Sequence, residues 1–395
     1  MRLYLPWFTI LAAILAIDVA YYFFLKRLKQ KPFYQKIQTF SLCISIIYLL
    51  AFSLLFLISP IRYDSSAFNF YRPMSWAVTW FMVWYLPRII MLLLFPLFKI
   101  FSFKRREILL HNVMIFIAML SFAGVFLASF TMIYRNQKIS HGSIPQAFNG
   151  YRIVQISDIH LYSQTLSKQL WKKRVEEINS LKPDLIVFTG DVVNNFWIET
   201  QGWDSVFSGL KARDGKFAIL GNHDYGDYTR WKTTHDKFIN FQRIQSFLKK
   251  NGFRLLNNQH HFLVKQHDTL VLAGIENWGN PPFPRYGDLE KALLGVNRQL
   301  PMILLSHDSD FWDAEVLSSP WKIILTLSGH THGFQFGLRT RWLSFSPSQW
   351  RYKRWGGLYQ LNSRYLYVST GIGTVAYLGR VGILPETVVF ELFSE

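Results

Sequence analysis

The chain has 395 residues, half of them apolar and 17% aromatic, with a formal net charge of +18. That is ample material for more than one domain, and a single cysteine, Cys43, excludes an intramolecular disulfide. Residues 1–135 hold 14 Lys/Arg against 3 Asp/Glu, and the rest hold 29 against 22. The first basic clusters merely flank apolar runs, which favours anionic lipid headgroups over nucleic acid as partner.

Four apolar runs, 3–25, 37–59, 74–98 and 108–133, read as bilayer crossings, so residues 1–135 are expected to be a transmembrane domain of four helices. Asp18 in the first run and Arg88 in the third are unusual at such depth, and face either each other or a polar headgroup. The first connection carries Lys26, Arg27, Lys29, Lys31 and Lys36, and the third Lys99, Lys104, Arg105 and Arg106. The second carries only Arg62 and Arg72, with Asp64. The positive-inside rule puts the first and third connections in the cytoplasm and both termini outside, with Arg2 and Arg135 as weak opposing votes. The expectation is a multi-pass protein of the cytoplasmic (inner) membrane, its C-terminal domain periplasmic or extracellular.

Residues 136–148 are polar, with Gly142 and Pro145, and read as a linker; the second domain is 149–395. A strand over 152–157 ends at Asp158. The amphipathic run 166–181, with Leu170, Val175, Ile178 and Leu181, predicts a helix that Pro183 stops. Strands over 185–189 and 217–220 deliver Gly190-Asp191 and Gly221-Asn222-His223-Asp224. Further on, 237–250 and 289–294 read as helices, and 254–257, 261–265 and 270–274 as strands. Strands over 302–306 and 323–328 end at His307 and at Gly329-His330-Thr331-His332, and strands over 365–370 and 387–392 close the domain. The alternation predicts a layered α/β fold.

Nearly every polar cluster follows a predicted strand, so carboxylates, imidazoles and one amide meet at a common rim. Mixed oxygen and nitrogen ligands suit Mn, Fe or Zn, and two divalent ions sharing one carboxylate can clamp both oxygens of a phosphoryl displacement. Asp158-x-His160 and His330-x-His332 place two ligands on one side of an extended chain. Gly190, Gly221 and Gly329 allow sharp turns where a β-carbon would crowd the ions. Ser157, Thr189 and Ser306 read as buried structural hydroxyls, and no Ser-His-Asp set stands out.

Together these segments resemble the calcineurin-like metallophosphoesterase family over residues 150–395, and the runs before them resemble its membrane-anchored members. The resemblance implies a four-layer α/β/β/α sandwich preceded by the four-helix transmembrane region. It implies that Asp158, His160 and His332 hold one ion, that Asn222, His307 and His330 hold the other, and that Asp191 bridges them. Two divalent metals are expected, Mn foremost with Zn or Fe as alternatives, and a metal-bridging hydroxide as attacking group. His223 would stabilise the transition state or protonate the leaving oxygen, with Asp224 orienting its imidazole. The stretch Ser369-Thr-Gly-Ile-Gly-Thr374, with Arg380 and Pro385-Glu386, resembles a subgroup that contains membrane-linked phosphoesterases, and some relatives in that broader set cleave the pyrophosphate bond of a UDP-diacylglucosamine lipid precursor. That chemistry is cytosolic, and the charge count argues against it.

Residues 337–357 gather Arg339, Arg341, Trp342, Trp350, Arg351, Tyr352, Lys353, Arg354 and Trp355, a composition suited to a lipid headgroup surface. Arg351, Lys353 and Arg354 are taken as substrate-binding candidates, with Trp278 in a Pro-rich turn and Trp312 after His307. The expected function is hydrolysis of a phosphoester in a lipid or lipid-linked substrate, by a phosphomonoesterase or phosphodiesterase. The alternatives are a UDP-diacylglucosamine-type pyrophosphate hydrolase, a nuclease, and a regulatory or scaffold protein with a metal-binding domain. The expected partners are membrane lipids and not nucleic acid; nothing in the sequence sets an oligomeric state.

Overall fold

The computed structural model describes residues 7–27, 32–58, 68–98, 106–163, 168–281, 283–340 and 342–395. Arg2, Lys29, Lys31, Arg62, Asp64, Lys99, Lys104 and Arg105, which bore on the orientation above, lie outside the described residues, as does Arg341. The chain divides into two compact units: Met1–Arg62, Ser66–Phe126 and Ala376–Gly379 form one, and Tyr63–Ser65, Leu127–Val375 and Arg380–Glu395 the other.

Apart from Ala376–Gly379, the described part of the first unit is built of helices: α1 (Trp7–Arg27), α2 (Pro32–Ile58), α3 (Phe68–Trp84), α4 (Leu86–Phe98) and α5 (Arg106–Phe130). Among the described residues one stretch, Tyr71–Leu94, is long and apolar enough to cross a membrane. The other apolar helical stretches, Ala12–Phe24, Thr39–Leu54 and Asn112–Gly124, are shorter. This corrects the four-span, multi-pass arrangement expected from hydropathy. It also removes the basis for placing residues 149–395 outside an inner membrane.

Within this unit Asp18 and Arg88 do face each other. Arg88 Nη1 lies 2.7 Å from Asp18 Oδ1, and both side chains are almost wholly buried. Arg88 also donates to Ser45 Oγ and Ser41 Oγ, while Ser45 and Tyr85 donate to the two carboxylate oxygens. The guanidinium lies 4.5 Å from the Tyr21 ring centroid and 4.4 Å from that of Trp84. A buried charge pair persists only with such full satisfaction.

The second unit begins with β1 (Ile133–Ser140), β2 (Tyr151–Ile156), α6 (Lys168–Ser180), β3 (Leu185–Thr189), α7 (Asp204–Phe207), β4 (Lys216–Ile219), α8 (Thr234–Lys250) and β5 (Phe253–Leu255). It continues with β6 (Gln259–Lys265), β7 (Asp268–Gly274), α9 (Leu289–Ala292), β8 (Met302–Leu305) and β9 (Ile323–Ser328). A small hairpin of β10 (Leu338–Arg339) and β11 (Ser344–Phe345) precedes β12 (Gly357–Leu361), β13 (Arg364–Val368) and β14 (Glu386–Phe393). One six-stranded sheet has the order β1-β14-β2-β3-β4-β5, the other β12-β13-β9-β8-β7-β6. The inner strands are parallel and read as continuous apolar runs because both faces are covered.

The sheets pack face to face. Ile153, Leu185, Val187 and Ile219 of the first share one cluster with Leu272, Ile303, Leu305 and Leu327 of the second. Trp171 and Val175 of α6, with Ile244 and Leu248 of α8, cover the outer face of the first sheet. Leu289 and Ala292 of α9, with Trp312 and Val316 of a π-helical turn, cover that of the second. The result is an α/β/β/α sandwich. Residues 136–140, read from sequence as linker, lie in β1, which pairs in parallel with β14 from Ile133↔Glu386 to Ser140↔Phe393. Five parallel strands, β2, β3, β4, β8 and β9, end just before Asp158, Gly190, Leu220, Ser306 and Gly329, so their C-terminal ends carry the polar clusters.

Candidate metal centre

The backbone at these strand ends is unusual. Asp158, His160, Asp191, His330 and His332 have φ of 50°, 45°, 60°, 75° and 52°. Non-glycine residues rarely adopt this left-handed region, and such strain gathers at functional sites. Surrounding hydrogen bonds hold it in place: Asp158 N donates to Gly190 O at 3.0 Å, His160 N to Asp191 O at 3.1 Å, and His330 N to Asp158 Oδ1 at 2.9 Å. Two glycines permit the close approach. A β-carbon on Gly190, at φ 97°, would meet the Gly221 backbone and the His307 imidazole; one on Gly329 would overlap Ser157 Oγ and Asp158 Oδ2.

The side chains converge into two groups whose ligand atoms lie within 4.8 Å of one another: Asp158, His160, Asp191 and His332, and Asp191, His307 and His330. Asp191 is common to both. Its Oδ2 is 3.5 Å from His160 Nε2 and 3.2 Å from His307 Nε2. In the first group His332 Nε2 lies 3.4 Å from Asp158 Oδ1 and 3.0 Å from His160 Nε2. Asn222 joins the second, its Oδ1 2.9 Å from His307 Nε2 and 2.8 Å from His330 Nδ1. Ser157 donates to Asp158 Oδ2 and Thr189 to Ser157 Oγ, so these hydroxyls are structural.

The donor chemistry fits cations. His307 Nδ1 lies 2.7 Å from Thr189 O and must donate there, so in a neutral ring Nε2 turns a lone pair toward two oxygen acceptors, Asn222 Oδ1 and Asp191 Oδ2. Three acceptors facing one point call for positive charge between them. Burial works to lower His307, but with no cation between them the Asp191 and Asp158 carboxylates raise it to about 10, so a proton on Nε2 supplies that charge until a cation takes its place. Burial lowers His160 to about 3, His330 to about 4 and His332 well below its ordinary value, leaving neutral rings, the form that binds metal. Burial works to raise Asp191, yet the His307 and His223 imidazoles hold it well below the usual carboxylate range. The Asp/His cluster is thus a two-metal site of the kind a metal-dependent phosphoesterase uses.

His223 stands at the rim of the site. Its ring meets His160 edge-on, 4.8 Å between centroids, and lies flat on Tyr228 at 4.2 Å. The expected support from Asp224 is corrected by the geometry. His223 Nδ1 lies 2.7 Å from Asn194 O instead. Asp224 accepts from the backbone amides of Asp191, Val192, Val193 and Gly221 at 2.9–3.2 Å, which locks the Asp191 turn to the Gly221 turn. Glu199 in turn accepts from the amides of Asn194, Asn195 and Phe196, bracing the carbonyl that holds His223.

The substrate candidates scatter. Trp312 is fully buried in the outer core, so it cannot meet a substrate. Trp278 packs edge-on against Phe311 and under Arg285, in a cavity whose lining contains none of the cation-facing residues. Arg351 pairs with Asp310, and Lys353 and Arg354 with Asp313. Sequence reasoning missed Tyr228, whose Oη accepts from Asn222 Nδ2, and passed over Tyr352, whose Oη lies 3.0 Å from His330 Nε2. The only sequence signal for Tyr228 was its place five residues after His223. The loop 369–374 wraps Asp158, with Ile372 N and Gly373 N donating to Ser157 O and Asp158 O, and Arg380 donates to Thr370 O and Gly373 O.

Comparison with known proteins agrees with this geometry. The family model for calcineurin-like phosphoesterases matches residues 151–334. The chain is 32% identical over 261 residues to the uncharacterized metallophosphoesterase YkuE of Bacillus subtilis, covering 65% of this chain and 84% of that protein. It is 30% identical to a transmembrane protein with metallophosphoesterase domain of Danio rerio, over 58% of this chain but only 50% of that one. It is 31% identical to the UDP-2,3-diacylglucosamine pyrophosphatase LpxG of Chlamydia trachomatis, over 58% of this chain and 81% of the relative. A 32% identity that covers 84% of a metallophosphoesterase, with a family match at 151–334 that takes in every strand end carrying the polar clusters, means that the chain belongs to the calcineurin-like phosphoesterase family.

Proposed function

We propose that residues 149–395 form the catalytic domain of a hydrolase that cleaves a phosphoester bond in a lipid or lipid-linked substrate, using two divalent ions, Mn foremost. The observation that carries the hydrolase reading is the convergence of two ligand groups on Asp191. Asp158, His160 and His332 would hold one ion, and Asn222, His307 and His330 the other, with Asp191 touching both. Bound there, the ions would supply Lewis acidity to the phosphoryl oxygens and would acidify a water. His223 presents Nε2, because Nδ1 is committed to Asn194 O, and can hold or pass a proton at the leaving oxygen. Asp224 keeps the two turns that carry Asp191 and Asn222 in register.

The lipid part of the reading is supported by the hairpin that follows the last imidazole. Thr340 Oγ1 accepts from Trp342 N and Leu343 N, and Thr340 N donates to Leu343 O. It holds Trp342 87% exposed, with Trp350 nearby in sequence 78% exposed. Two exposed indoles close in sequence to exposed Arg351 and Lys353 suit a headgroup region.

A second reading, hydrolysis of a UDP-diacylglucosamine-type pyrophosphate, is favoured by the 31% identity to LpxG. The charge-count argument against it depended on four spans and falls with them. One assay separates the two. Manganese-loaded protein is offered a small chromogenic phosphoester, a lipid phosphate in mixed micelles and a UDP-diacylglucosamine-type pyrophosphate. The expected result is turnover of the lipid phosphate that Trp342→Ala/Trp350→Ala lowers about tenfold more than turnover of the small ester. An equal effect on both contradicts the lipid reading, and selective pyrophosphate cleavage replaces it with the second.

A further inference from the structure

Two phenols bear on the second ligand group. Tyr352 Oη lies 3.0 Å from His330 Nε2, and its ring meets that imidazole edge-on at 5.3 Å. Tyr228 Oη accepts from Asn222 Nδ2 at 2.6 Å, while its ring is stacked within 10° of the His223 plane. Each phenol touches a ligand residue through the atom opposite the one that faces the cation position. The inward atoms are His330 Nδ1 and Asn222 Oδ1, 2.8 Å apart.

That opposition sets the direction of the hydrogen bonds. An imidazole that gives one nitrogen's lone pair to a metal keeps its proton on the other nitrogen. With a cation at Nδ1, His330 therefore carries hydrogen on Nε2 and donates it to Tyr352 Oη. The phenol then only accepts there, and its own hydrogen is left for another partner. In the other tautomer, Nδ1–H would donate to Asn222 Oδ1, Nε2 would accept, and Tyr352 would give its hydrogen to the protein. Tyr228 accepts from an amide N–H, so its hydrogen is likewise directed elsewhere. An ordinary phenol remains protonated at neutral pH, so both groups are donors for an anion. Tyr228 is also 45% exposed.

We infer that Tyr228 and Tyr352 grip the oxygens of a phosphoryl group at the second ligand group, where a cation held by His330 Nδ1 would leave the Tyr352 hydrogen free for that purpose. The inference rests on the phosphoesterase reading and deepens it.

The test uses the full chain as wild type, Tyr228→Phe, Tyr352→Phe and the double variant, all at saturating manganese. Phenylalanine retains the ring on His223. Metal content is measured by atomic emission, and binding of inorganic phosphate by calorimetry. A hydrogen bond to a charged partner corresponds to about a tenfold or greater change in affinity. Each single variant is therefore expected to hold as much manganese as wild type, to bind phosphate about tenfold more weakly, and to raise KM for a small phosphoester more than it lowers kcat. Phosphate affinity unchanged in the metal-saturated double variant overturns the clamp and leaves the phenols as braces for Asn222 and His330. So does wild-type protein that holds manganese but binds no phosphate. Intact phosphate binding, lost in the variants, in a protein that hydrolyses no phosphoester would instead remove the phosphoesterase reading and leave the clamp standing.

Discussion

His223 is held by a carbonyl and not by a carboxylate. Its Nδ1 is tied to Asn194 O, and burial lowers its pKa. It lies beside the ligand groups without belonging to either of them. His223→Gln is therefore expected to lower kcat by about 10²–10⁴, the usual range for one general acid or base, with the manganese content of the wild type. Loss of metal in that variant, measured by atomic emission, would make His223 a ligand instead. The cation-facing residues were legible in the sequence because each follows a strand end directly, where local order and three-dimensional position coincide. Tyr228 and Tyr352 were not, because their roles depend on which atom of Asn222 and His330 points outward.

At the scale of elements, the turns after β3 and β4 are joined through one carboxylate. Asp224 is wholly buried and accepts four backbone amides. Asp224→Ala leaves those donors without an acceptor, at a cost of about 1–3 kcal/mol for such a group or more. We expect a lower Tm together with weaker manganese binding; an unchanged Tm with unchanged binding would make the lock dispensable. In the helical unit, the Asp18–Arg88 pair makes a different prediction. Arg88→Met alone strands a buried carboxylate and is expected to destabilise by about 3–5 kcal/mol, whereas Asp18→Leu/Arg88→Met is close to neutral. Chemical unfolding of the two variants checks this, and equal losses in both would contradict it. Most strands were readable from apolar runs, but β1 was not. Its sequence IYRNQKIS is largely polar, and its partner β14 lies some 250 residues away, so nothing local announces a parallel edge.

At the scale of the whole molecule, hydropathy overreached where the sheet ends did not. Apolar composition over 1–135 was read as four crossings, yet among the described residues only Tyr71–Leu94 combines the length and the apolar character required. The fold of 149–395 was legible because parallel strands buried on both faces leave continuous apolar runs, and because their C-terminal ends carry the chemistry. Asp191 is the group common to both clusters, and the two-metal centre depends on it. Crystals of manganese-loaded protein, measured at the manganese absorption edge, test this most directly. Two anomalous peaks about 3.5–4 Å apart are expected on either side of the Asp191 carboxylate, one against Asp158, His160 and His332, the other against Asn222, His307 and His330. A single peak that does not touch Asp191, or none, would contradict the account.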